Sequence, residues 1–159
     1  MIRLCFYKPE DFKDLTSYAL DAQQSQFTAM PELTLEVIKE KNTGDKFPVT
    51  IFYQRKAVGF FVLDFGPDKF ELTENENSTL VRSLSINPAY QGKGIGKQSM
   101  NLLSDFIKAE FPDCNEVVLA VNFNNKNAYG LYLKCGFEDH GKSREMSKGF
   151  QHLLNKKIR

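Results

Sequence analysis

Residues 80 to 96 read LVRSLSINPAYQGKGIG, and this stretch decides the fold. Leu80 to Ile86 predict a strand, Asn87 to Gly96 a loop containing glycines, and Ile95 to Glu110 an amphipathic helix. The predicted helix carries apolar residues on one face at spacings of three and four: Met100, Leu103 and Ile107. A strand that runs through such a loop into a helix exposes unpaired backbone N–H groups at the helix start. The pattern therefore predicts an anion-binding loop.

The chain continues with a second strand and helix. Glu116 to Val121 predict an apolar strand, and Asn125 to Lys134 predict a helix that Gly136 ends. From Phe137 onward we expect a short strand region and a basic tail. Strand, helix, strand and helix in succession predict two neighbouring parallel strands joined by a right-handed crossover.

The N-terminal half predicts compatible elements without diagnostic residues. These are a strand at Ile2 to Tyr7, a helical turn from Pro9, a loop at Gln23 to Pro31, a helix at Leu33 to Lys41, a hairpin of Val49 to Tyr53 with Ala57 to Asp64, and an exposed polar segment at Gly66 to Asn77. Residues 1–159 are predicted to be a single domain of the α/β (α+β) class with a mixed sheet.

Composition excludes several classes of function. The net charge is +1, with 21 basic and 20 acidic residues, so neither nucleic acid nor an anionic membrane is an expected partner. Cys5, Cys114 and Cys135 lack paired spacing, and the two histidines lie far from them, so no metal site or disulfide framework is expected. The first residues turn charged before an apolar run develops, which favours the cytoplasm.

The spacing of the loop distinguishes among phosphate-binding motifs. A nucleotide-triphosphate loop needs glycine where Gln91 stands and a hydroxyl residue where Gln98 stands. The dinucleotide fingerprint needs a glycine where Lys97 stands. What remains is Q/R-x-x-G-x-G/A, matched by Gln91, Gly94 and Gly96, with Lys93 and Lys97 adding positive charge.

A second pattern follows one strand later. Residues 125 to 137 read NKNAYGLYLKCGF, which is similar to N-x-x-A-x-x-L-Y-x-x-x-G-F. With both motifs in this order, residues 80 to 137 resemble the GCN5-related N-acetyltransferase (GNAT) family. The resemblance implies a largely antiparallel twisted sheet in which a central parallel strand pair splays apart, with flanking helices.

The resemblance also implies acetyl-CoA as cosubstrate, with no metal. Its pyrophosphate is expected on the loop and its pantetheine arm along the preceding strand and near Asn125. The implied cofactor-binding residues are Leu84, Ser85, Ile86, Gln91, Gly92, Lys93, Gly94, Ile95, Gly96, Lys97, Asn125 and Tyr132.

The implied reaction is direct attack of a neutral amine of a small molecule or peptide on the thioester. The backbone N–H of Leu84 would stabilise the oxyanion, and Tyr132 would protonate the departing thiolate. No general base is predicted. Some relatives carry a glutamate where Ala120 stands, and others an acid where Arg82 and Ser83 stand.

Other features of the acceptor side remain open. Glu71, Glu74 and Glu76 precede the strand and could reach the cleft, and Phe27 and Met30 are candidates for an apolar acceptor pocket or for anchoring their loop to the core. A homodimer through an edge strand is possible in such folds. Two alternatives compete with an enzyme: a non-catalytic acyl-CoA-binding regulatory module, which the missing base would suit, and a nucleotide-binding regulator.

Overall fold

A computed structural model of the chain describes residues 1–159, in which seven strands form one sheet with helices on both faces. The strands are β1 (Ile2–Phe6), β2 (Lys46–Tyr53), β3 (Lys56–Asp64), β4 (Ser78–Ile86), β5 (Glu116–Asn122), β6 (Glu138–Met146) and β7 (Gly149–Lys157). The helices are α1 (Phe12–Leu15), α2 (Ala22–Ser25), α3 (Pro31–Lys41), α4 (Ile95–Glu110) and α5 (Lys126–Lys134). None of these helices has the length and apolar character needed to cross a bilayer.

The strand order is β1-β2-β3-β4-β5-β7-β6. Every neighbouring pair is antiparallel except β4 and β5, which are parallel and are joined by α4. The predicted α/β class is therefore confirmed, as is the mixed, largely antiparallel sheet with a central parallel pair.

The side chains on the two faces of β3 belong to two separate hydrophobic clusters. Val58, Phe61 and Leu63 belong to the larger cluster, which the apolar faces of α4 and α5 cover. Phe60 and Val62 point the other way and pack with Leu15 of α1, and α3 lies against this second cluster. Burial on both faces explains why β3 is almost continuously apolar in sequence.

The C-terminal region differs from the prediction of a short strand region and a basic tail. It forms the hairpin of β6 and β7, and β7 pairs with the whole length of β5, from Glu116 opposite Lys157 to Asn122 opposite Gln151. Lys156 is part of this strand, and its Nζ donates to the carbonyl of Cys135 at 2.7 Å. The prediction was wrong because β6 is polar and mostly exposed, so it lacks an apolar alternation.

Two predicted loops also contain ordered turns. Residues 23 to 31 include the end of α2. Residues 66 to 77 include a 3₁₀ turn at Pro67–Glu71, and Lys69 there is buried rather than exposed. The Lys69 ammonium donates to the carbonyls of Glu76 and Ser78, at 2.8 and 2.9 Å, which satisfies the buried charge with backbone acceptors.

Candidate active site

A cleft opens in the middle of the sheet because β4 and β5 pair for only three residues. Ser78 to Leu80 lie opposite Glu116 to Val118, and beyond them the parallel pairing ends. A bulge in β4 follows directly: Ser83 and Leu84 together face the single residue Phe61 of β3. Ser83 has a left-handed backbone with φ of 62°. Such a bulge bends the strand, so β4 turns away from β5 at this point.

The cleft leads into a cavity of about 1100 Å³. Five segments line it: residues 20 to 29, which we call the lid segment, residues 81 to 86 of β4, the loop at 90 to 97, residues 119 to 132 of β5 and α5, and the turn at 146 to 148 between β6 and β7. Most of the predicted cofactor-binding residues therefore meet in one cavity. Lys93 does not line it, and its Nζ lies 5.9 Å from the ring centre of Tyr90 instead.

The loop before α4 leaves its backbone open to a ligand. Gly92 and Gly94 have φ values of 78° and 77°, and a Cβ placed on Gly92 would meet no atom within 4 Å. These glycines are needed for their backbone conformation and not to avoid crowding. Gly94 caps the 16-residue α4, so the first N–H groups of that helix face the same space as the side chain of Lys97.

Further polar groups lie along β4 and at the start of α5. The Ser85 hydroxyl is hydrogen-bonded to the buried Tyr18 hydroxyl at 2.9 Å, which fixes the orientation of this side chain. Asn125 caps α5, and its Oδ1 accepts from the N–H of Ala128 at 3.4 Å. The Asn125 Nδ2 has no hydrogen-bond partner within the protein and remains free to donate into the cavity.

Tyr132 lies on α5 and lines the cavity at the bottom of the cleft. Its ring is buried and packs edge-on against Phe137, with ring centres 5.6 Å apart. Burial, with a smaller contribution from Cys135, raises the pKa of Tyr132 well above its usual range. The phenol therefore keeps its proton at neutral pH and is able to donate it.

Cys135 is buried beside the same helix, and its thiol lies 3.7 Å from the carbonyl of Lys97. Burial raises the pKa of Cys135, which keeps it a thiol rather than a reactive thiolate. Cys135 is therefore a small buried residue that packs in the core.

The lid segment closes one side of the cavity and is fastened at two places. Gln24 and Gln91 exchange side-chain amide hydrogen bonds of 2.8 and 3.2 Å. Lys148, in the β6–β7 turn, donates to the carbonyl of Gln26 at 2.8 Å. The sequence motifs did not indicate Gln24 or Lys148, because both belong to segments far from the motifs.

Phe27 and Met30, the two candidate residues for the acceptor pocket, lie in different surroundings. Phe27 lines the cavity. Met30 does not, and it packs instead against the second hydrophobic cluster, so it anchors the lid segment to the core.

The three glutamates considered as bases lie elsewhere. None of Glu71, Glu74 and Glu76 lines the cleft, and Glu71 is paired with Arg144 of β6. Asp21 is the single carboxylate along the cavity, and it caps α2 by accepting from the N–H of Gln24. No group of three or more His, Cys, Asp or Glu side chains comes together in a way that could hold a metal ion.

Comparison with known proteins agrees with this geometry. The model of the Acetyltransferase (GNAT) family matches residues 11–137, which is most of the chain. The chain belongs to the GNAT acetyltransferase family. It is 37% identical over 156 residues to the uncharacterized N-acetyltransferase YbbJ of Bacillus subtilis, covering 97% of this chain and 96% of that protein. Spermine/spermidine N(1)-acetyltransferase of the same bacterium is 34% identical over 94 residues, 59% of this chain and 60% of that enzyme.

Solved structures share the GNAT fold at lower identity. The aminoglycoside acetyltransferase AAC(6')-Ib in complex with coenzyme A and kanamycin has a TM-score of 0.79 and 16% identity, covering 99% of this chain and 95% of that chain. The spermidine N-acetyltransferase of Vibrio cholerae with CoA and spermine has a TM-score of 0.74 and 17% identity, with the same coverage.

With the family established, this GNAT chain is an acetyl-CoA-dependent N-acetyltransferase, as the two motifs predicted. The residues of the loop fit the donor, since the open backbone at Gly92, the N-terminus of α4 and Lys97 supply positive potential for a pyrophosphate.

Proposed function

We propose that the cleft between β4 and β5 joins an acetyl group to a primary amine by direct attack, with donor and acceptor bound together. One observation carries this proposal: the anion-binding loop at the start of α4 and the splayed strands open into the same cavity. Acetyl-CoA supplies an activated acetyl group held through a thioester. Holding both reactants in one cavity makes the reaction effectively unimolecular.

Each residue has a distinct role in this scheme. The loop from Gln91 to Lys97 holds the pyrophosphate, and the backbone of Leu84 to Ile86 and the Asn125 amide hold the pantetheine arm. The N–H of Leu84 donates to the carbonyl oxygen as negative charge develops there. The C–N bond forms first, and Tyr132 then donates a proton to sulfur as the C–S bond breaks. The proton that the former amine nitrogen loses returns through solvent to the Tyr132 phenolate, which restores the phenol.

Proton removal from the amine falls to solvent in this proposal. The cavity contains no histidine or glutamate, and Asp21 already serves as the cap of α2. A water chain in the open cleft therefore carries the proton away before attack.

The acceptor is a primary amine of a small molecule or peptide. The spermidine and aminoglycoside enzymes that share the fold act on small amines, which supports this class. Phe27 would pack against the apolar part of the acceptor. We further propose that residues 1–159 act as one transferase domain in the cytoplasm, where the three free cysteines would stay reduced, and that an edge strand, β1 or β6, pairs a homodimer.

Calorimetry with CoA and a thiol-release assay with a panel of amines and peptides test the proposal together. We expect CoA to bind and thiol to appear only when an acceptor amine is present. Binding without acetylation of any amine would instead favour the non-catalytic acyl-CoA-binding module. Tighter binding of ATP or NAD than of CoA would favour the nucleotide-binding regulator.

A further inference from the structure

The charged side chains around the acceptor part of the cavity are unsuited to a polycation. The lid segment, the middle of β4 and the β6–β7 turn together contribute Asp21, Arg82 and Lys148. Asp21 is exposed at the start of α2. An acceptor with two or three ammonium groups loses hydration on entering a cleft and needs carboxylates to replace it. A single exposed carboxylate beside two cations does not supply them.

Arg82 presents an unused hydrogen-bonding edge at this end of the cavity. Its Nη1 donates to Oδ2 of Asp64 and to Oδ2 of Asp68, both at 2.9 Å. Its Nε and Nη2 have no hydrogen-bond partner in the protein. The side chain is 45% exposed, and Arg82 is one of the residues that line the cavity. The Nε and Nη2 groups of a guanidinium form the fork that binds a carboxylate through two parallel hydrogen bonds.

Asp64 and Asp68 hold the Arg82 guanidinium in place. Asp64 is fully buried, and it also accepts from the N–H of Gly66 at 2.8 Å and lies 3.6 Å from the ammonium of Lys46. Neither Asp64 nor Asp68 lines the cavity. Two carboxylates that grip one nitrogen restrict rotation of the side chain, so the free edge is preorganised for a ligand.

The position of Arg82 along β4 fits recognition of the acceptor. Its register partner is Val62, which belongs to the second hydrophobic cluster, so Arg82 lies on the face of the sheet that the lid segment covers. It precedes Leu84 by two residues, no more than about 7 Å along the strand. An amine at the thioester and a carboxylate at Arg82 can therefore belong to one small molecule.

We propose that the acceptor is a small amine that also carries a carboxylate, and that the Nε and Nη2 edge of Arg82 binds this carboxylate while Asp64 and Asp68 hold the guanidinium. This inference rests on the proposed function of the cleft. Lys148 lines the same cavity and adds positive charge to it.

Paired acceptors test the inference. Each member of a set of α- and β-amino acids is compared with its own carboxamide, and spermidine serves as a polycation. The kcat/KM values are corrected to the concentration of neutral amine, because carboxamides have less basic amines. We expect the acids to be preferred over their carboxamides and over spermidine by about tenfold or more, since a hydrogen-bonded charge pair contributes that much.

Two variants refine the test. Arg82→Lys keeps a cation for the buried Asp64 but removes the fork, and we expect it to lower the acid-over-carboxamide ratio about tenfold through KM. Arg55→Lys, in the exposed β2–β3 turn, is the matched control and should leave the ratio unchanged. The free energy of unfolding and the CoA affinity of each variant separate recognition from folding.

The possible failures are distinguishable. Equal or better use of carboxamides or spermidine by the wild-type protein would overturn this inference and leave the proposed function intact. An equal loss with acids and carboxamides in Arg82→Lys would also overturn it, because Arg82 would then support only the fold. If no amine of either kind is acetylated while CoA still binds, the proposed function and this inference fall together.

Discussion

In the proposed reaction, the two walls of the cleft bind their ligands by different means. The part of the cofactor wall proposed to hold the pyrophosphate is contiguous in sequence, from Gln91 to Lys97, and offers mainly backbone N–H groups at the start of a helix. The acceptor wall consists of side chains from three places that are remote in sequence: the lid segment, the middle of β4 and the β6–β7 turn. Backbone recognition leaves a glycine pattern that relatives can share, whereas side-chain recognition is free to change from one family member to another. The predictions below probe this contrast.

The largest effect is expected at the cofactor wall, from Gly94→Val. A β-branched residue is strained at a φ of 77°, so the loop must change conformation and lose its convergent N–H groups. We expect CoA affinity to fall about hundredfold in calorimetry, equivalent to about 3 kcal/mol.

Gly44→Val is the matched control for this change. Gly44 has a φ of 76° and open space around it, but it lies in the turn before β2 and away from the cavity. Gly44→Val should lower the free energy of unfolding about as much as Gly94→Val does, because both glycines have a similar φ. It should not alter the affinity for CoA. Equal losses of affinity in both variants would mean that backbone strain alone, and not the loop, explains the effect.

Tyr132→Phe tests the proposed proton transfer at the point where the two walls meet. Removing the hydroxyl deletes the proposed proton donor to sulfur but keeps the packing against Phe137, so we expect kcat to fall about thirtyfold and CoA affinity to change less than about threefold. Single-turnover and calorimetric measurements separate the two. Tyr129→Phe on the same helix removes a hydroxyl that donates to Asp139 outside the cavity, and kcat should be unaffected. An unchanged kcat in Tyr132→Phe would remove this residue from the mechanism.

The pH dependence should report the acceptor and not the enzyme. Below the pKa of the acceptor amine, kcat/KM should rise about tenfold per pH unit, because only the neutral amine attacks. Because burial raises the pKa of Tyr132, its phenol keeps the proton above the usual value of about 10. A rate profile measured from pH 6 to 9.5 should therefore rise toward the pKa of the acceptor amine and should not fall. A decline within this range would indicate that an essential acid loses its proton earlier.

The smallest effect is expected at the bulge that separates the walls. Ser83 adopts a left-handed conformation that glycine tolerates better, so Ser83→Gly should stabilise the fold by about 0.5 kcal/mol in urea unfolding. Ser83→Ala keeps the strain and should not stabilise. If Ser83→Gly destabilises the protein, the hydroxyl rather than the backbone is what matters at this position.

The sequence predicted the cofactor wall more fully than the acceptor wall, for physical reasons. The loop and α4 are local: a glycine spacing and an apolar period within 20 residues define them, and the bounds Ile95 to Glu110 agree with the structure. The parallel pair was predictable because a strand, helix and strand in succession have few alternatives.

The acceptor wall depends on contacts between distant residues. The β6–β7 hairpin carries a polar sequence whose strand character comes from pairing with β5, and the contact of Lys148 with Gln26 spans 122 positions. The bulge at Ser83 has no sequence pattern of its own, since serine rarely adopts positive φ. In the sequence, Arg82 was notable only because some relatives carry an acid at this position. Its free guanidinium edge can be recognised only from the structure, where Asp64 and Asp68 bind the other side of the group.

The paired amides of Gln24 and Gln91 make the two walls thermodynamically linked. An acceptor that has to push the lid segment aside also breaks the hydrogen bonds to Gln91, and Gln91 belongs to the loop that holds the donor. This coupling is reciprocal. If the bound acceptor changes the affinity for CoA by some factor, bound CoA changes the affinity for the acceptor by the same factor. A side-chain contact between two surface glutamines thus couples the affinities for the two substrates by the same factor in both directions.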